Sequence, residues 1–562
     1  MRTTILACSL CLLAACQQAP ETPPPAPKPA PRVVTTPPEG QHAFKAAISA
    51  DDFAWHVQTL ASDQFEGRGP GTLGERLSTA YLQQQFERIG LSPGNGSSYL
   101  QSVPMLTVRT DPATTIAFAG AGGQAQPALE LGRDYVLSSR TGKPELSLAA
   151  SEVVFAGYGI VAPESQWNDY EGIDVHGKTV IVLINDPGLA TKDPALFHGA
   201  NLTYYGRWTY KFEEAARQGA AACLIVHDTE GASYDWSVVR SSWGGARHFL
   251  PPEAGAAPGL SLEGWLSGEA AAALLKAAGQ DAGALRKAAA TRGFHALPLP
   301  LRLDAALKTS LNYSRSDNVL ALLPGASRKD EAVVYSAHWD HLGRHEDENG
   351  DNIYNGARDN GSGVAGLLEI AEAFARQERK PERSVLFLAT TLEESSLLGS
   401  EYYVAHPVIP LAKTVAAINL DDLPIRGRSR DIALIGAGQN DLEDLLAEAA
   451  KAQDRVVRPD ARALLSGFFY RSDQLNFARH GVPVLYARGG PDLREGGVDA
   501  GKADDEDYNA HRYHKPQDQF SPDWDLSGVV EDVGALYAVG QRVASGEFTP
   551  QLKPGAEFSG AK

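Results

Sequence analysis

The sequence predicts an α/β protein built on a mixed, largely parallel sheet flanked by helices, with a smaller β-rich unit inserted upstream. Two observations carry that fold class. From about residue 315, apolar strand-like runs alternate with a helical one and with loops: "EAVVYSAHW", "SGVAGLLEIAEAFARQ", "SVLFLATTLEE" and "TVAAINLDD". Such alternation marks a sheet with parallel strands, whose site lies at the C-terminal ends of the strands. A second group of strands, including "SEVVFAGYGIV" and "KTVIVLIND", occupies roughly residues 130–290.

Taken in order, the chain opens on "MRTTILACSLCLLAAC", one arginine followed by an apolar run of signal-peptide length, too short to span a bilayer. The run closes on Leu13-Ala14-Ala15-Cys16, which resembles the lipobox of bacterial lipoproteins. That resemblance implies a signal over residues 1–15, a lipid on Cys16, and export to a membrane-anchored place in the bacterial cell envelope. Gln17 in place of Asp favours the outer membrane. Removing the signal leaves Cys16 and Cys223, too few for a disulfide framework or a CxxC metal site. Residues 16–42 are dominated by proline, which removes backbone donors and favours extended conformations, so they read as a tether.

Residues 43–100 read as helical. "LGERLSTAYLQQQFERIG" has apolar residues at helical spacing and Gly90 as a stop. The middle unit adds a helix, "YKFEEAARQGA", a strand, "AACLIVHD", and an Ala-rich helix, "SGEAAAALLKAAG". Cys223, inside its apolar strand, reads as an inert core residue. The tail over 546–562 is expected to be loose. At 562 residues the chain has room for several domains. Its formal charge of −18 offers no basic excess with which to neutralise phosphates, which argues against a nucleic-acid partner.

The chemistry gathers where the apolar strands end. "VVYSAHWDH" delivers His338 and Asp340; "NGARDNGSG" places Asp359 just before a helix; "FLATTLEE" delivers Glu393 and Glu394. "VAAINLDD" delivers Asp421 and Asp422, and "YHKPQDQF" offers His514. A strand-end Asp taken singly is an ordinary turn or cap residue. Several successive strand ends carrying ligand-type side chains are a different matter. Imidazoles mixed with carboxylates suit Zn²⁺ or a similar transition ion rather than calcium, and two divalent ions would offset the repulsion among so many acids.

In order and spacing, "SAHWDHLG", "NGARDNGSG", "LEESSLLGS", "INLDD" and "YHKPQDQF" resemble the metal-site motifs of the M28 family of zinc metallopeptidases. "LASDQFEGRGPGTLGERLSTAYLQQQFERIGL" resembles the helical lead-in of such domains, and the middle unit resembles a protease-associated (PA) domain. The resemblance implies a discontinuous peptidase domain over 43–130 and 300–545, with the PA-like insert over 131–299. It also implies two zinc ions per chain. His338 and Asp421 would bind one, Glu394 and His514 the other, and Asp359 would bridge them. Glu393 matches the general base. Asp340 matches the acid that accepts the ring N–H of His338 and fixes its tautomer. A cis bond is implied after Asp359. The implied reaction is removal of N-terminal residues from peptides with a free N-terminus, by a metal-bridged water. Tyr470, Ser472, Asp473, Gly489 and Gly490 fall where relatives line the substrate pocket.

Glu393 and Glu394 are adjacent, and side chains alternate direction along a strand end, so the two acids are expected to do different work. The chain departs from the family pattern at Arg358, Ser395-Ser396, Asp422 and Gln474, none of them a proposed ligand. His341, His345, His406, His480 and His511 have polar or turn contexts and read as ordinary histidines. The acidic "RHEDENGDN" at 344–352 lacks EF-hand spacing and reads as a solvated loop. Two rival functions share the scaffold: a peptide-binding protein without catalysis, and a single-zinc enzyme of the glutaminyl-cyclase kind. The intact ligand set and Glu393 speak against both.

Overall fold

The computed structural model describes residues 35–120, 122–123, 126–252, 259–345 and 350–559. Cys16, the signal and most of the tether lie outside the described residues. Among the described residues no helix is long and apolar enough to cross a membrane.

Two helices lead in, α1 (Ala50–Leu60) and α2 (Leu73–Ile89). Ser49 caps α1 by accepting from Asp52 N, and Gly90 ends α2 at φ 89°, a left-handed conformation that costs glycine little. Strand β1 (Leu100–Thr110) follows, then β2 (Tyr135–Ser138), β3 (Glu145–Phe155) and β4 (Thr179–Leu183). After helix α3 (Trp208–Arg217) come β5 (Ala222–Val226) and β6 (Leu262–Leu266). β3, β4, β5 and β6 pair in parallel, with β2 antiparallel at the edge. β4, β5 and β6 are buried along their whole length, as parallel strands covered on both faces must be. Cys223 in β5 is free and fully buried, and burial pushes its thiol pKa up.

The peptide then runs through one long strand, β7 (Leu297–Leu323), into a second sheet: β8 (Arg328–His338), helix α4 (Gly363–Arg376), β9 (Arg383–Thr390) and β10 (Thr414–Asn419). β11 (Asp431–Leu434), β12 (Val456–Pro459), β13 (Val484–Gly489) and helix α5 (Ser527–Ala544) complete it. Here the order is β12-β11-β13-β10-β8-β9-β7, with β8 parallel to both β9 and β10, and β10 parallel to β13. β9 is buried at every position. The core beneath it joins Val333, Tyr335 and Ala337 of β8 to Phe387 and to Val533 and Leu536 of α5.

Two expectations change. Residue 300 is not a boundary, because β7 pairs with β3 over its first half and with β9 over its end, so a single strand belongs to both sheets. The tail is not loose over its described part. Leu552 bridges to Asn440, and Glu557 accepts hydrogen bonds from Tyr204 N (2.9 Å) and the Tyr470 hydroxyl (2.7 Å).

Candidate active site

β8, β9 and β10 end side by side, and the residues just beyond them converge. His338 closes β8 and is 1% exposed. Its Nε2 lies 3.1 Å from Asp421 Oδ1 and 3.3 Å from Asp359 Oδ1. His514 Nε2 lies 3.1 Å from the other Asp359 oxygen, Oδ2, and 3.2 Å from Glu394 Oε2. Asp359 therefore offers one oxygen to each of two His–carboxylate groups. Its own placement is enforced by the backbone: Asp518 accepts from Arg358 N (3.1 Å) and Asp359 N (3.0 Å), and the Asp359–Asn360 peptide is cis.

The electrostatics agree with a site that demands positive charge. Burial opposes charge on His338, yet Glu393 and Asp421 hold its pKa well above the usual value. His514 is likewise drawn up to about 9 by Glu394 and Asp359 against burial. Burial would raise Asp359, but the two histidines hold it well below the carboxylate range. Each imidazole is thus pulled toward its protonated form by the acids, which a cation between them would satisfy instead. His338, Asp359 and Asp421 offer ligand atoms within 4.8 Å of one another, as do His341, Asp359 and Glu394. The donor set, nitrogen with carboxylate oxygen, fits zinc.

Glu393 and Glu394 come together differently from the sequence expectation. β9 stops at Thr390, and the pair lies beyond it in a turn where Leu392 has φ 57°. The turn, not strand alternation, separates the two acids. Glu393 Oε2 points to within 3.8 Å of His338 Nε2, and its N–H donates to Asp340 Oδ1 at 3.2 Å. Burial and then, against the pull of His338, the acids Asp421 and Glu394 hold Glu393 well above the usual range. Asp340 also departs from expectation. His338 Nδ1 meets the main-chain oxygen of Asp340 at 3.1 Å, and its carboxylate is farther, at 3.8 Å.

His341, read as ordinary from sequence, belongs to the site. It is 1% exposed, and its Nδ1 lies 2.6 Å from Glu394 Oε1. Glu394 thus gives one oxygen to His341 and the other to His514, so His341 fixes the carboxylate's orientation. Its spacing from His338, one helical turn in an ordinary loop context, gave no signal. His345, His406, His480 and His511 stand outside both ligand groups among the described residues.

Of the expected pocket residues, only Tyr470 lines the cavity of about 290 Å³ that opens on the acids. Ser472 accepts from Asn419 Nδ2 (2.7 Å), and Asp473, fully buried, accepts from Thr390 and Ser400. Gly489 and Gly490 press on Asp532 and Asp431, where a Cβ would stand 2.6 and 2.3 Å from carboxylate oxygens. These four support the β9, β10 and β13 ends from behind. Arg358 and Asp422, which look like independent departures in sequence, are an ion pair at 2.6 Å, and Arg488 meets the second Asp422 oxygen.

Residues 318–538, which include every proposed ligand, match the sequence profile of Peptidase family M28. The chain carries an M28 peptidase domain. Curated relatives include the vacuolar membrane protease of Lodderomyces elongisporus, 31% identical over 104 residues, 18% of this chain and 10% of that protein. Aminopeptidase NAALADL1 of Mus musculus is 31% identical over 129 residues, 22% of this chain and 16% of that protein. The alignments therefore span a small part of those relatives' lengths. Among solved structures, the aminopeptidase of Aneurinibacillus sp. strain AM-1 aligns at 18% identity and TM-score 0.47, covering 90% of this chain and 95% of that one. BSAP, a zinc aminopeptidase from Bacillus subtilis, aligns at 17% identity and TM-score 0.41, covering 92% and 98%.

Proposed function

We propose that the protein is a two-zinc aminopeptidase that removes N-terminal residues from peptides. The observation that carries this reading is the division of Asp359, one oxygen facing His338 and Asp421, the other facing His514 and Glu394. Two such groups joined by one carboxylate suit a pair of ions better than the single ion of a glutaminyl-cyclase-like enzyme. His338, Asp421 and Asp359 would hold one zinc, and Glu394, His514 and Asp359 the other. Zinc bound there supplies Lewis-acid polarisation of a scissile carbonyl and lowers the pKa of water.

The chain's own residues do the rest. Glu393, beside both groups and facing the cavity, takes a proton from the attacking water. It returns that proton to the amine nitrogen as the C–N bond breaks, so the products are a free amino acid and a shortened peptide. The N–H of Glu393 is held by Asp340, which keeps the base aimed at the cavity. Glu393→Gln is expected to lower kcat on leucyl anilides by about 10²–10⁴-fold while leaving zinc content unchanged. An active variant would remove Glu393 from the proposed role.

A further inference from the structure

The cavity beside the metal-ligand cluster is not uniformly acidic. It is also lined by three partly buried arginines, Arg207 at the start of α3, Arg247, and Arg471. Other arginines near the cavity have carboxylate partners: Arg140 meets Glu263 at 2.6 Å, and Arg479 meets Glu213 at 3.0 Å. Arg207 and Arg471 have none within ion-pair distance among the described residues. The Nε of each is buried without a hydrogen-bond partner. Arg471 places its Nη2 on the Ser466 carbonyl at 2.8 Å and its guanidinium over the Phe468 ring at 5.9 Å. Arg247 is held by stacking on Trp243 at 3.6 Å and leaves one Nη atom unpartnered.

Unpaired buried guanidinium groups are costly, and two of like charge side by side are costlier still. Burial and the charge of Arg471 both work against the cation at Arg207. A planar carboxylate is the ligand that matches a guanidinium fork and relieves both penalties.

We propose that Arg207 and Arg471 form a carboxylate-binding subsite that selects peptides carrying a negative charge away from the scissile bond. This rests on the peptidase reading. The subsite is built by both sheets, since Arg207 belongs to the region of β3–β6 and Arg471 to the M28 domain. It therefore gives the upstream sheet a direct part in substrate choice. The cavity has the size of a small-ligand pocket rather than an extended groove. The carboxylate is either the C-terminal α-carboxylate of a short peptide or an Asp or Glu side chain.

The test compares four peptides on the zinc-loaded protein: Leu-Ala, Leu-Ala-amide, Asp-Ala-amide and Leu-Asp-amide. At least one carboxylate-bearing peptide is expected to exceed Leu-Ala-amide in kcat/KM by about ten- to a hundredfold. Leu-Ala identifies an α-carboxylate, and the two Asp peptides identify a side chain before or after the cleaved bond. In Arg207→Gln and Arg471→Gln that ratio should collapse toward one. The ratio is taken within each variant, so a general loss of activity does not imitate the result. Calorimetric binding of the same peptides is read in parallel. Equal kcat/KM and equal affinity for all four in the unmutated protein would overturn the subsite. Hydrolysis of none of them, with carboxylate-selective binding retained, would overturn the peptidase reading and leave the subsite standing.

Discussion

At the scale of single residues, the site turns on which atom faces which. Asp359 and Glu394 are each divided between two histidines, and in the proposed function this division would let a small cluster serve two ions. His341 is the residue the sequence kept hidden. Its Nδ1 fixes Glu394 from behind, its other ring nitrogen is buried without a hydrogen-bond partner, and it carries no signature beyond a position near the His338 motif. Partners that orient a ligand contribute strongly to metal affinity. His341→Ala is therefore expected to weaken zinc binding by about 10–100-fold in chelator competition. Unchanged affinity would show that Glu394 needs no such support. The candidate ligands were legible as motifs: His338, Glu394 and Asp421 lie at or just past the ends of apolar strands, Asp359 precedes a helix, and His514 lies in "YHKPQDQF". The Arg358–Asp422 pair was not, because its members lie far apart in sequence and only the fold sets them 2.6 Å from each other.

At the scale of elements, helices and parallel strands of the M28 domain were readable from periodicity. α4 and β10 fall within the runs that predicted them, and β8 and β9 overlap theirs, starting three residues and one residue earlier. β7 was not readable as one strand. Its Pro298 and Pro300 and the polar stretch "NYSRSDN" look like breaks, yet pairing continues along it from one sheet into the other. The turn after β9 was also hidden, since nothing in "TLEESS" announces a positive φ at Leu392. Helix α4 carries a further consequence. Glu369 is buried against the start of α1, where it accepts from Ser49 N at 2.7 Å. Burial first, then Asp52 and Glu372, push it from 4.5 up to about 8 against that hydrogen bond. Between those values the folded protein retains a proton that the unfolded chain has lost, so this group's effect on stability worsens as pH rises from about 4.5 to about 8. Glu369→Gln removes the dependence. Its melting temperature relative to the unmutated protein is expected to rise by a few degrees, roughly 2–4 °C, between pH 5 and pH 8.5. A difference that does not change with pH would contradict the assignment.

At the scale of the whole molecule, the two sheets share one strand, and both regions line the cavity at the candidate metal site. The metal-site acids come from the M28 side, while Tyr204 and Arg207 come from the other. The C-terminal segment closes on the same junction, where Glu557 ties Tyr204 to Tyr470. The composition of that segment, rich in Gly and Pro, suggested a loose tail, because its anchors, Leu552 on Asn440 and Glu557 on Tyr204 and Tyr470, meet partners distant in sequence. The proposed function places one requirement on the site: the acids are neutralised by bound cations. Metal analysis of the purified full chain after zinc loading, paired with leucyl-anilide hydrolysis before and after chelation, tests that requirement most directly. The account predicts close to two zinc ions per chain, with hydrolysis lost on chelation and regained with zinc. Retained hydrolysis in a metal-free chain, or a chain that binds no zinc, would contradict it.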